Sequence, residues 1–126
     1  MGKPILSEKV AKTDGSWVQA VQAGSILFIS GQVAWDASGN VVGKGNFEAQ
    51  AEQVFKNLST LLQEAGYGFE HVCKITVFLT DMNDRPAFAA IRKKYFSGHP
   101  PASTLVEISK LAGPDLKIEV EAIAVK

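Results

Sequence analysis

The sequence is short of several residue types that usually signal chemistry. It has one cysteine, Cys73, and two histidines, His71 and His99. A lone cysteine excludes an internal disulfide, and no signal-like pattern opens the chain, so a reducing, cytoplasmic setting is expected. Neither histidine has Cys, His or Asp neighbours at zinc-ligand spacing, so no metal site is expected. Charge of either sign is not in excess: 13 Lys and Arg balance 13 Asp and Glu. A nucleic-acid binder normally shows a basic excess or stripe. The densest basic group here, Arg92-Lys93-Lys94, reads as a solvated helix face. Nucleic acid is therefore not an expected partner. No apolar run approaches the roughly 20 residues that span a bilayer, which argues against a membrane partner. A glycine-rich phosphate loop is missing too, since Gly43 and Gly45 lack the flanking strand and helix. No cofactor is expected. Cys73 alternates with apolar residues and reads as a small buried hydrophobe, not a nucleophile.

What is present is periodicity. With 126 residues, 46% of them hydrophobic, residues 1–126 read as one domain that buries roughly two thirds of its unfolded surface. Ile5-Leu6 with Val10, Trp17–Val21 and Ile26–Ile29 are short apolar runs separated by turns at Asp14-Gly15-Ser16 and Ala23-Gly24-Ser25. They read as an antiparallel meander. Val33–Gly45 is a loop holding Trp35. Asn46 is a helix N-cap, with Glu48 in the first turn. Ala51, Val54, Phe55, Leu58, Leu61, Leu62 and Ala65 then recur at three- and four-residue steps, and Gly66 ends the helix. His71–Leu79 is a strand. Asp84 caps a second helix that buries Ala87, Phe88, Ile91 and Tyr95 and stops at Gly98-His99-Pro100-Pro101.

The last quarter of the chain carries the clearest alternation. Thr104, Val106 and Ile108 fall on one face of a strand, and Ser103, Leu105 and Glu107 on the other. Ile118, Val120, Ala122 and Ala124 oppose Glu119, Glu121, Ile123 and Val125. The Ala112-Gly113-Pro114-Asp115 turn between the two runs predicts a hairpin. Glu119 and Glu121 share one sheet face, where carboxylates need water, a partner subunit or a ligand. The predicted fold is α+β: one mixed sheet with two helices on one face, in the order β-β-β-α-β-α-β-β. Several strands are apolar on both faces, so the face without helices is expected to be an interface.

Five stretches, in order and at similar spacing, identify a family. They are Trp17–Val21 (WVQAV), Leu27–Gln32 (LFISGQ), Val72–Asp81 (VCKITVFLTD), Pro101–Glu107 (PASTLVE) and Ile118–Val125 (IEVEAIAV). Together they resemble the RidA/YjgF family, the reactive-intermediate (imine) deaminases, also labelled endoribonuclease L-PSP. The resemblance implies a chorismate-mutase-like fold and a homotrimer with small-molecule sites in the clefts between subunits.

It also implies a site. In family members with imine deaminase activity the cleft is lined by a tyrosine near the N-terminus, the Ser-Gly of an SGQ motif and a helix asparagine. The arginine of a P-A-R-[ST] motif and a glutamate of the last strand complete it. The arginine clamps a substrate carboxylate in the bidentate geometry that a guanidinium suits, and the glutamate holds or activates water. Carried over, Ser30 and Gly31 are retained and the glutamate is Glu119. The tyrosine position is Trp17, the asparagine position is Ala89 and the arginine position is Ser103; a cysteine often found two residues beyond is Leu105. Glu119 is thus the expected catalytic residue, with Trp17, Ser30, Gly31 and Ser103 binding substrate. A neutral hydroxyl does not replace a bidentate ion pair, and its loss costs roughly two to three orders of magnitude in binding. The chain is expected to be a deaminase-family hydrolase acting on small enamines or imines, with weak or absent 2-aminoacrylate-type activity. A member that binds a small ligand without turnover is the alternative.

Overall fold

The structure, a computed structural model, describes residues 2–126. Its elements are β1 (Lys3–Ile5), β2 (Ala20–Ala23), β3 (Ile26–Val33), α1 (Phe47–Glu64), β4 (Val72–Leu79), α2 (Arg85–Tyr95), β5 (Ala102–Glu107) and β6 (Ile118–Val125). The order is the one expected. The strands form one six-stranded sheet arranged β1-β2-β3-β6-β4-β5, and the first three are an antiparallel meander. No helix among the described residues is long and apolar enough to cross a membrane.

Helix α1 forms for the reasons its sequence suggests. The Asn46 side chain accepts a hydrogen bond from the Ala49 N–H at 3.1 Å, a cap worth about 1 kcal/mol. At the other end Gly66 takes φ +79°. There its N–H donates to Gln63 O at 3.0 Å and the Tyr67 N–H donates to Leu62 O at 2.8 Å, the paired bonds of a Schellman stop. The apolar stripe from Ala51 to Leu62 is buried against the sheet. Phe55 joins the two helices: its ring stacks on Tyr95 with centroids 4.6 Å apart and packs against Phe88 and Phe96. Among the described residues, no helix covers the sheet face away from α1 and α2. Phe28 is 45% exposed there and Val106 39%.

Four expectations are corrected. β5 and β6 are not a hairpin. β4 lies between them, paired antiparallel with β6 and parallel with β5. Helix α2 lifts the chain over to the far edge of β4, which permits the parallel pairing. The segment after β5 then crosses the end of β4, tied there by Ile108 N–H to Leu79 O at 2.8 Å and Thr80 N–H to Lys117 O at 3.2 Å. Cys73 is exposed, not buried. Val72 faces Ala124 while Lys74 faces Ile123, so Cys73 is the extra residue of a bulge and falls out of phase with Ile75, Val77 and Leu79. Trp17 precedes β2 and is not in a strand. Asp84 makes no side-chain cap; Asp81 instead accepts from the Asn83 N–H in the 3-10 turn ahead of α2.

Candidate functional site

A bulge in β3 builds the first part of the site. Ile29 faces Ala122 and Gln32 faces Val120. Ser30 and Gly31 therefore stand against a single residue of β6, an irregularity that re-aims side chains and recurs beside active sites. The Ser30 N–H donates to Gln19 O at 2.9 Å, and its hydroxyl donates to Val18 O at 2.7 Å. Ser30 thus ties the segment after Trp17 to the bulge, and its hydroxyl oxygen keeps acceptor capacity. Gly31 is required by contact, not by conformation. A Cβ there would overlap the Glu119 carboxylate, with Cδ only 2.7 Å away.

Glu119 reaches that position because β6 alternates. Ile118, Val120, Ala122 and Ala124 are buried, and Glu119 and Glu121 project from the opposite face. Glu119 sits between Val33 of β3 and Phe78 of β4 and is half-buried. Burial holds its carboxyl above the ordinary carboxylate range, and the Glu121 charge pushes the same way. Among the described residues no cation forms an ion pair with it. A partly desolvated carboxyl with an elevated pKa is better suited to accept a proton than an ordinary surface carboxylate.

Trp17 is exposed and lines a small cavity, about 30 Å³, with Gly31, Gln19, Val33 and Trp35. Two buried amides hold this corner. Gln19 accepts from the Ser7 N–H at 2.9 Å and donates to Ala11 O at 2.7 Å, so it ties the turn at residues 7–11 to the segment that carries Trp17. Asn57 donates to Val33 O at 3.1 Å and Trp35 O at 3.0 Å, so it fixes the Trp35 loop. Neither amide was singled out from the sequence. The available signal was a polar residue inside an apolar stripe: Asn57 lies between Val54, Phe55 and Leu58 on α1.

Ser103 stands elsewhere. It pairs with the fully buried Ile75 across β4 and β5, so it lies on the helix side of the sheet. Glu119 pairs with Phe78 on the open side. Within one chain, Trp17, Ser30, Gly31 and Glu119 gather at the β3 bulge, and Ser103 is not with them. The Ser103 hydroxyl accepts from Arg92 Nη1 at 3.1 Å. Both line an open cleft of about 630 Å³ with Lys93, Phe96, Pro100 and Pro101. Arg85, the other arginine of α2, is exposed at its start. No group of three or more His, Cys, Asp or Glu among the described residues is arranged to hold a metal.

The sheet, its two helices and the Ser-Gly bulge beneath a last-strand glutamate define a small α+β protein class that comparison with known proteins identifies. A protein-family model for endoribonuclease L-PSP matches residues 8–126. A RutC family protein of Pyrococcus horikoshii is 40% identical over 126 residues, covering 100% of this chain and 99% of its own. The 2-iminobutanoate/2-iminopropanoate deaminase of Mus musculus is 39% identical over 124 residues, covering 98% and 91%. Among solved structures, RidA from an Antarctic Psychrobacter matches with a TM-score of 0.91 at 30% identity, covering 98% and 99%. The chain belongs to the RidA/YjgF (endoribonuclease L-PSP) family.

Proposed function

We propose that this protein is a hydrolytic deaminase of small enamines and imines, working in clefts between the subunits of a cytoplasmic homotrimer. The observation that carries it is Glu119: a half-buried carboxyl with a raised pKa, laid over Gly31 and facing no cation. The name of the mouse relative supports the same reaction class. In this chemistry an enamine tautomerises to its imine, and water adds to the imine carbon while one water proton passes to Glu119. That proton is handed to nitrogen to give a carbinolamine. Its hydroxyl proton then follows through Glu119 to nitrogen as the C–N bond breaks, so ammonia leaves and a carbonyl remains. Water is the only co-reactant, so no cofactor is called for.

Two features support a site shared between subunits. Glu119 and Ser103 lie on opposite sides of the sheet of one chain, so a ligand touching both draws them from different copies. The open sheet face also exposes Phe28, Val106 and Val125, more apolar surface than a lone subunit needs to show. Ser103 on its own offers a carboxylate only a neutral hydroxyl. Turnover of 2-aminoacrylate-type substrates is then weak unless a cation reaches them from elsewhere.

Ammonia release from 2-aminoacrylate or 2-iminobutanoate generated in situ tests the reaction. Wild type is expected to accelerate release above the spontaneous rate, and Glu119→Gln to lose roughly 10²–10⁴-fold, the range for a positioned acid–base group. A wild type with no acceleration that still binds the matching 2-oxo acid would leave the non-catalytic ligand-binding alternative. That alternative is favoured by one observation, the Ser30 hydroxyl proton already committed to Val18 O.

A further inference from the structure

We propose that Arg92, presented by helix α2 and steadied by Ser103, is the residue that recognises the ligand's carboxylate and so sets specificity for small monocarboxylates. The chemistry of the cleft points that way. Its walls supply two cations, Arg92 and Lys93, two hydroxyls, Ser97 and Ser103, and no acid. Phe96, Pro100 and Pro101 add apolar surface that fits a short alkyl tail. The guanidinium is held from two sides. Nη1 donates to the Ser103 hydroxyl at 3.1 Å, and its carbon stands 5.5 Å from the centroid of the Phe88 ring beneath it, within cation–π range. That ring is fully buried, so it gives the guanidinium a fixed floor. Among the described residues Arg92 forms no ion pair.

The hydrogen-bond inventory completes the site. A guanidinium has five N–H donors in a planar fork, and Ser103 takes one of them. Because that hydroxyl accepts from Arg92, its own O–H remains to be donated outward. A carboxylate in the cleft accepts from the remaining Arg92 donors with one oxygen and from Ser103 with the other, a charge-assisted arrangement. Ser103 therefore acts as a positioning residue for Arg92 and as a second donor. The charge is supplied by a helix at a position where the strand residue has none. The specificity claim rests on the deaminase reading only for where the reacting carbon lies; carboxylate capture stands without it.

Binding of 2-oxobutanoate and of its neutral amide, followed by NMR titration on the whole protein, separates the two. Wild type is expected to prefer the acid by at least ten-fold. Arg92→Ala is expected to raise the acid's Kd about 10–100-fold and abolish the preference. Arg92→Lys keeps the charge, loses the fork and recovers only part of the affinity. Ser103→Ala is expected to weaken the acid a few-fold. Equal binding of acid and amide by wild type, no binding of either, or an Arg92→Ala variant that binds the acid as wild type does would each overturn the assignment. Acid selectivity without ammonia release would sink the deaminase reading and leave Arg92 standing. Ammonia release unaffected by Arg92→Ala would do the reverse.

Discussion

The Glu119 carboxylate occupies the space that any side chain at position 31 would fill. Glycine is demanded there by a neighbour, since Gly31 does not take a positive φ. Gly31→Ala is therefore expected to leave the backbone in place and push the flexible end of Glu119 aside. Activity should fall about 10–100-fold, in line with the cost of misplacing a reacting group by roughly 1 Å. The urea midpoint should move little. A fall in stability matching the loss of activity would show that the glycine serves the fold and not the site.

The raised Glu119 pKa gives two signs to check. If the ionised form is the working base, the acidic limb of kcat/KM against pH lies above the ordinary carboxylate range. Glu121→Gln removes the second cause of the shift, so it should move that limb to lower pH. A limb that stays put would assign the titration to another group.

Stability runs the other way. An acid whose folded pKa exceeds its unfolded value binds more protons when folded, so folding weakens as pH rises. The penalty begins at the ordinary value of 4.5 and is complete above the raised one. Glu119→Gln should therefore raise stability at neutral pH relative to wild type, with the gain vanishing below pH 4.5. Urea midpoints at the two pH values decide it.

Asn57 should be costly to remove although it touches no ligand. Its amide is the hydrogen-bond donor to Val33 O and Trp35 O inside the core. Asn57→Leu takes one donor from each carbonyl, while the Trp35 N–H still reaches Val33 O at 2.8 Å and Gln53 Nε2 reaches Trp35 O at 3.3 Å. The loss of two buried bonds is expected to cost about 1–2 kcal/mol, read as a lower urea midpoint at an unchanged slope. An unchanged midpoint would mean that water reaches those carbonyls.

The exposed Phe28 and Val106 allow the proposed link between assembly and activity to be tested. A charge on the open sheet face, as in Phe28→Asp, should split the proposed trimer into monomers in light scattering at micromolar concentration and abolish deamination with it. A monomeric but active variant would place the whole site in one chain.

Much of the fold was legible in the sequence because it is written in local periodicity. The three- and four-residue steps of α1 and its Asn46 and Gly66 ends follow from hydrogen bonds and burial within one helix. The alternation of β6 put Glu119 on the open face for the same reason. Cys73 shows where the method fails: one bulged residue reverses every side chain before it, and nothing in the alternation announces the bulge.

By itself the sequence determined the two helices and most of the strands and which face most of them bury, and its family resemblance nominated Ser30, Gly31 and Glu119. Only the tertiary structure decided who meets whom. It placed β4 between β5 and β6, laid Glu119 over Gly31, set Ser103 on the far side of the sheet and brought Arg92 to it. The physical reason is that burial periodicity specifies the face of a strand but is silent on its neighbour. Loop closure costs so little per added residue that the chain after β5 can cross β4 as readily as turn back beside it. Strand neighbours and bulges are settled by the packing of the whole sheet against α1 and α2, and the site is assembled from those non-local choices.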